Sequence, residues 1–68
     1  MHLRGRNECY EVEPNDGVSF VYSVWPFKIR ISGFVRSVET NFLELYFLDR
    51  QLGFYNANRI SNLANHGP

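Results

Sequence analysis

Few side chains in this sequence are placed for covalent chemistry. Nucleophilic catalysis needs a serine or cysteine beside a base that a third group orients. The only histidines are His2 and His66, near the two ends of the chain, where residues are seldom held still. Glu11, Glu13 and Asp16 could supply paired carboxylates, but strand spacing sets Glu11 and Glu13 on one outward face, the pattern of a solvated edge. No glycine-rich phosphate loop occurs. Cys9, His2 and His66 fall short of the four ligands of a closed zinc site, and a single cysteine forms no internal disulfide. The expectation is a chain with no catalytic residues, no metal and no cofactor.

Side chains suited to recognition are more numerous. Lys28, Arg30, Arg36, Phe34 and Tyr46 share the outer face of a predicted central hairpin. Single-stranded nucleic acid is held by such interleaving, with aromatics stacking bases while arginines neutralise phosphates. The same face has two other readings. Arg36 against Glu44 and Phe34 against Tyr46 are ordinary cross-strand pairs, and aromatics with arginine are also the residues enriched where a second subunit lands. Trp25-Pro26-Phe27 is a rigid aromatic corner, suited to a pocket wall for an extended segment or to a cap over the core. Asn56, Asn58, Asn62 and Asn65 carry amides that could read bases, or that bond local backbone at turns and edges.

These residues must be positioned by strands. Alanine appears twice and lysine once in 68 residues, while aromatics make up 16%, a composition that fits pleated surfaces better than helical ones. Residues 9–13 and 18–25 alternate on either side of Pro14-Asn15-Asp16-Gly17, which reads as a hairpin turn. Phe27 to Val38 sets Phe27, Ile29, Ile31, Gly33 and Val35 on one face, and Lys28, Arg30, Ser32, Phe34 and Arg36 on the other. Leu43, Leu45 and Phe47 share one face of the next run, residues 42–49. A three-residue connection, Glu39-Thr40-Asn41, would set Val38 opposite Phe42, Arg36 opposite Glu44, Val35 opposite Leu45 and Phe34 opposite Tyr46. A two-residue loop at Thr40-Asn41 would instead set Arg36 against Leu45 and Ser37 against Glu44 and mix the faces, so the first register is expected. That loop type ends on a left-handed residue, which Asn41 tolerates. Gly33 allows a sharp bend in the longest strand. Residues 49–53 read as a turn and 54–60 as a last strand. Ile60, Leu63 and Ala64 have the spacing of a short C-terminal helix.

Three phrases carry a family likeness: Lys-Ile-Arg-Ile-Ser-Gly-Phe-Val-Arg-Ser-Val (28–38), Phe-Leu-Glu-Leu-Tyr-Phe-Leu-Asp (42–49) and Asn-Arg-Ile-Ser-Asn-Leu (58–63). In strand pattern, over about half the chain, they resemble the Sm-like and SH3-like small β-barrels. That family carries an internal glycine on a bent strand, a tight turn, a Leu-rich strand and an Ile-rich closing phrase. The resemblance implies an all-β fold, a small, strongly bent, five-stranded antiparallel barrel. For the Sm-like branch it also implies binding of single-stranded RNA or DNA. The chain departs from that branch in having no clear N-terminal helix, no Asp-Xaa-Met-Asn-like loop at 39–41 and no Arg-Gly after the last strand.

Size and charge bound the rest. One domain over 1–68 is expected, with residues 1–8 and 64–68 as loose tails. A chain this short buries only about 60% of its unfolded surface, so self-association is the remaining route to stability once disulfide and metal are set aside. Phe34, Phe42, Tyr46 and Leu48 leave the second face of the central hairpin apolar, which points to a homo-oligomer, most simply a dimer. Seven basic residues balance seven acidic ones, so nucleic acid is not favoured on net charge, and a protein or small-ligand partner leads. No run approaches the roughly 18 apolar residues of a membrane span. With a lone cysteine and no apolar leader, a cytoplasmic location is the expectation.

Overall fold

Phe27–Val38 alternates without a break, and it becomes the strand around which the others assemble. The computed structural model describes residues 1–68. Seven strands follow in order: β1 (His2–Arg4), β2 (Cys9–Glu11), β3 (Gly17–Val24), β4 (Phe27–Val38), β5 (Phe42–Tyr46), β6 (Leu52–Asn56) and β7 (Ile60–Gly67), with one 3-10 turn at Ala57–Arg59 between the last two. Five of them form an antiparallel sheet in the order β6-β5-β4-β3-β7, and β1 pairs with β2 alone. The all-β class expected from composition is the one observed. Hydrogen bonding leaves β6 and β7 as the two edges of the sheet. No helix is long and apolar enough to cross a membrane.

β4 serves two neighbours along its length. Phe27 to Phe34 pair with β3, and Phe34 to Val38 pair with β5. Gly33 lies just before the handover. A Cβ added there would stand 2.9 Å from Cε1 of Phe47 and 3.2 Å from the carbonyl oxygen of Tyr46, so the bare backbone is what lets the Phe47 ring pack against the strand. The core lies on this side of the sheet: Val18, Phe20, Val35, Leu43, Leu45 and Ile60 are buried, joined by Leu3, Val12 and Ala57. Phe20, Tyr22 and Tyr55 meet edge to face, with ring centroids 5.0 to 6.5 Å apart, a geometry that aromatic quadrupoles favour.

Several expectations are corrected. The turn at Pro14–Gly17 does not reverse β2 onto β3. The Asp16 carboxylate accepts the Glu13 amide at 2.9 Å, Asn15 takes φ 75°, and both residues bond the backbone of Val35. The turn is thereby tied to β4, and β2 pairs instead with β1, Leu3 opposite Tyr10. Residues 1–8 are therefore not a loose tail, and Leu3 is fully buried. Residues 64–68 are not one either, because β7 runs to Gly67 and no C-terminal helix forms. Ladder bonds to β3 and the Asn65 amide, which donates to the Asp16 carboxylate and to the Glu11 carbonyl, hold this segment extended.

The β4–β5 register follows expectation at Phe34–Tyr46 and Val35–Leu45, then shifts: Ser37, not Arg36, faces Glu44, and Val38 faces Leu43. Arg36 is the extra residue of a bulge, which bends the bulged strand and increases its twist. The shift brings half-buried Val38 beside fully buried Leu43. Asn41 is not left-handed; Asn15, Arg50 and Asn62 are the non-glycine residues that are. The expected three-residue loop is not formed: Glu39 N–H donates to the Phe42 carbonyl at 2.8 Å, which leaves Thr40 and Asn41 as a two-residue connection. Arg4 N–H donates to Thr40 and Ala57 N–H to Asn41, at 2.9 and 2.8 Å.

Two outcomes follow. Gly33→Val drives a branched side chain into Phe47 and is expected to cost about 1–3 kcal/mol by overpacking, read as a lower urea midpoint with unchanged slope. Burial pushes the Tyr55 phenol above its ordinary value of 10.0, and the neighbouring Tyr22 adds to the shift. A folded pKa above the unfolded one contributes stability that is present below the unfolded value and lost as pH rises through the folded value. Melting temperature should therefore fall above about pH 10, and fall less steeply in Tyr55→Phe.

Candidate functional site

The residues singled out by sequence separate into two groups on β4. Phe34 and Tyr46 stack with centroids 5.5 Å apart and planes inclined by 24°, both half-buried. The Tyr46 hydroxyl donates to Asn15 Oδ1 at 3.4 Å. Arg36 Nη1 donates to Glu44 Oε2 at 2.7 Å despite the bulge, and the Ser37 hydroxyl donates to Glu44 Oε1 at 3.1 Å. This patch satisfies itself. One face of each ring is engaged with the other ring and the cation is neutralised by Glu44, while Phe34 also borders a groove beside Phe47 and Leu48.

Lys28, Arg30 and Trp25 belong to the other group. They lie where β4 pairs with β3 alone, toward the tip of that hairpin. Trp25 is 90% exposed and Phe27 67%. Trp25 thus caps no core. Trp25, Phe27 and Lys28 flank a hollow of about 260 Å³ that also contains Arg6, Asn58 and Arg59. The same Arg6, Asn58 and Arg59 line two further hollows. One, of about 190 Å³, reaches Tyr10 and Ser61, and the other, of about 550 Å³, is walled by Arg4, Asn41 and Asn56. The three hollows adjoin at these shared residues and together make up the cleft, a row from the β4–β5 loop past the 3-10 turn to the aromatic tip.

The cleft is built by four separated segments. The end of β1 brings Arg4 and the turn after it Arg6, the β4–β5 loop brings Asn41, and the β3–β4 tip brings Trp25, Phe27 and Lys28. The 3-10 turn brings Asn58 and Arg59, ordered because Asn56 Oδ1 accepts the Asn58 amide at 2.9 Å and caps that turn. The Arg59 guanidinium reaches the Ser23 carbonyl at 3.4 Å, tying the 3-10 turn to β3. None of Arg4, Arg6, Arg59 and Lys28 is in an ion pair, and Glu8 is the only carboxylate on the cleft's wall. Most carboxylates lie elsewhere: Glu11 and Glu13 hold the Met1 amine at 2.9 and 2.6 Å, and Glu11 also meets His2. The amine's hydrogen bond holds the Glu11 carboxyl below its ordinary range. Net charge is zero, yet its distribution is uneven.

Arg4, Arg6, Asn41 and Arg59 were not foreseen as site residues, because no local pattern joins them. Asn56 and Asn58 had two readings, base-reading amides or amides bonding local backbone, and Asn56 does the second by capping the 3-10 turn. Of the other asparagines, Asn65 bonds Asp16 and Glu11, and Asn62 takes a left-handed turn within β7. Ser19 Oγ and His66 Nε2 lie 3.1 Å apart, the first half of a nucleophile–base arrangement, but His66 makes no second hydrogen bond to orient its ring. No group of three His, Cys, Asp or Glu side chains converges as for a metal ion, and Cys9 is exposed. A separate groove of about 860 Å³ lies between β4 and the 47–51 turn, bordered by Phe34, Phe47, Leu48, Asp49 and His66.

Comparison with family models, with curated proteins and with solved structures yields no match. The fold and the cleft themselves define a small all-β protein with a cationic, aromatic-tipped groove.

The self-satisfied patch has a measurable signature. A double-mutant cycle of Arg36→Ala and Glu44→Ala should give a coupling of about 0.2–1 kcal/mol, as for part-exposed ion pairs. That coupling should shrink in molar salt.

Proposed function

We propose that this chain is a non-enzymatic binding module of the SH3/Sm-like small-barrel type, and that its ligand is single-stranded nucleic acid. One observation carries the choice of ligand: four unpaired cations, Arg4, Arg6, Arg59 and Lys28, share one cleft that ends on exposed Trp25 and Phe27. Guanidinium groups in a groove neutralise a phosphate backbone, and exposed rings stack bases of any sequence. The amides of Asn41 and Asn58 supply donors and acceptors for base edges in the same groove. A net basic chain is not required when the basic residues are gathered. The barrel type is supported by the shared strand β4 with Gly33 inside it, the Leu-rich β5 and the Ile60-led β7.

A protein or small-ligand partner is the second reading, favoured by the groove beside Phe34, Phe47 and Leu48, whose volume of about 860 Å³ falls in the range of ligand pockets. It lies away from Trp25 and contains none of the cleft arginines.

Trp25 is the only tryptophan, so its fluorescence reports on the cleft directly. Titration with mixed-sequence single-stranded oligonucleotides at low salt should quench it. The affinity should fall with salt, each phosphate contact adding about 0.7 to the log–log slope. Arg59→Glu should abolish binding, and Trp25→Ala should weaken it by about 1–3 kcal/mol, the worth of one stacked base. No quenching and no retardation at low salt would remove nucleic acid as the ligand.

A further inference from the structure

β6 is one of the two edges of the five-stranded sheet. The phase of its hydrogen bonds follows from the two pairs that flank it: Phe47 N–H donates to Gln51, and Ala57 N–H to Asn41. In an antiparallel ladder bonded and non-bonded pairs alternate. With Leu45 opposite Gly53 and Leu43 opposite Tyr55, those residues of β6 face β5. The backbone groups of Leu52 and Phe54 therefore point outward, away from the sheet. Asn56 N–H points outward too but is taken by the Tyr22 hydroxyl at 3.2 Å. Two adjacent outward positions are left with both N–H and C=O free.

Edges of this kind are usually blunted by charge, proline or a bulge. The other edge, β7, is blunted. Its pairing with β3 is interrupted by two register shifts, and Asn62 sits at φ 54° within it. β6 reads Leu-Gly-Phe-Tyr-Asn, with no charge, no proline and no break in its register. Its side chains on the outer face are apolar and open, Phe54 at 70% and Leu52 at 46% exposure.

We propose that β6 is a self-pairing edge, and that two copies of this chain join through it antiparallel about a two-fold axis at Gly53. That axis sets Leu52 opposite the partner's Phe54 and Phe54 opposite the partner's Leu52, so the free groups of both positions are satisfied reciprocally. Gly53 meets its own counterpart at the close, non-bonded position. Leu52 is also the neighbour of Tyr46, which pairs with Phe34. The partner's Phe54 thus extends an apolar row that already crosses three strands of one copy. A neutral edge on a neutral chain brings no repulsion to the contact, and the interface is isologous, which closes at two. The exposed hairpin tip at Trp25 does not compete for this role, because its strands are already paired with each other.

Light scattering after size exclusion, over a dilution series, tests the pairing. A mass of twice 8.0 kDa is expected at high concentration, dissociating on dilution. Phe54→Pro removes an outward N–H and the exposed ring while leaving the bonds to β5 in place, and should raise the dimer dissociation constant at least about tenfold. Leu52→Lys places a charge at the seam, should do the same, and serves if the proline variant does not fold. Amide exchange at Leu52 and Phe54 should be slowed at high concentration and fast on dilution. A single 8.0 kDa species at every concentration, or a dimer that both variants leave intact, would overturn the proposal. Arg59→Glu should leave the dimer unchanged, so loss of nucleic-acid binding and loss of pairing are separable.

Discussion

An aromatic ring resting against bare backbone governs this fold. Phe47 approaches Gly33 closely enough that a methyl group there would overlap it, and this contact lies where β4 leaves β3 for β5. One strand can then belong to two pairings, and residues far apart in sequence are drawn to one core. Val35 gains both backbone partners from the Asn15–Asp16 turn, so the N-terminal segment is tied to the same strand. A chain of 68 residues has little apolar surface to bury. It compensates by making each buried side chain contact several segments: Leu3 from β1, Val12 after β2 and Ala57 from the 3-10 turn complete a core that the five-stranded sheet alone would leave open.

Much of the sheet was legible from alternation. The β4–β5 hairpin and the inward set Val35, Leu43 and Leu45 follow from a period of two. The three-residue connection expected from the same rule does not form, because the Arg36 bulge lets Val38 face Leu43 and the hairpin closes over Thr40 and Asn41. What alternation cannot see is a tie between distant backbone groups. The turn at Pro14–Gly17 has hairpin chemistry in every residue, yet its backbone bonds Val35 rather than reversing onto β3. Arg36 shows the same limit at finer scale. Its pairing with Glu44 was foreseen from charge and is present, but through a bulge. A long side chain spans a displacement that backbone register does not. The short β1 lacks length for a periodic signal, and Leu3 is the single residue that matters in it.

The candidate site was harder to read. Lys28 was recognisable as a basic position on an outer face, but Trp25 read equally as a cap over the core, and Phe34 and Tyr46 carry recognition chemistry that they spend on each other. Exposure decides which aromatic can meet a partner, and exposure is a property of packing. Arg4, Arg6 and Arg59 come together only because β1 folds back beside the 3-10 turn. No spacing rule connects positions 6 and 59.

The β1–β2 hairpin has a consequence for how the molecule behaves at a distance. Its open end holds Glu11 beside His2, and its turn end carries Arg4 and Arg6. Arg4 and Arg6 outnumber Glu8 at the turn end, and Glu11 and Glu13 outnumber the Met1 amine at the open end, so the two ends of the hairpin differ in sign within a chain whose charges sum to zero. Such a molecule is a dipole. It drifts little in a uniform electric field, but in the steep field near a polyanion it feels a torque as well as a pull. It would rotate before it touches, presenting the arginine end first. A sum of zero therefore still leaves the approach oriented.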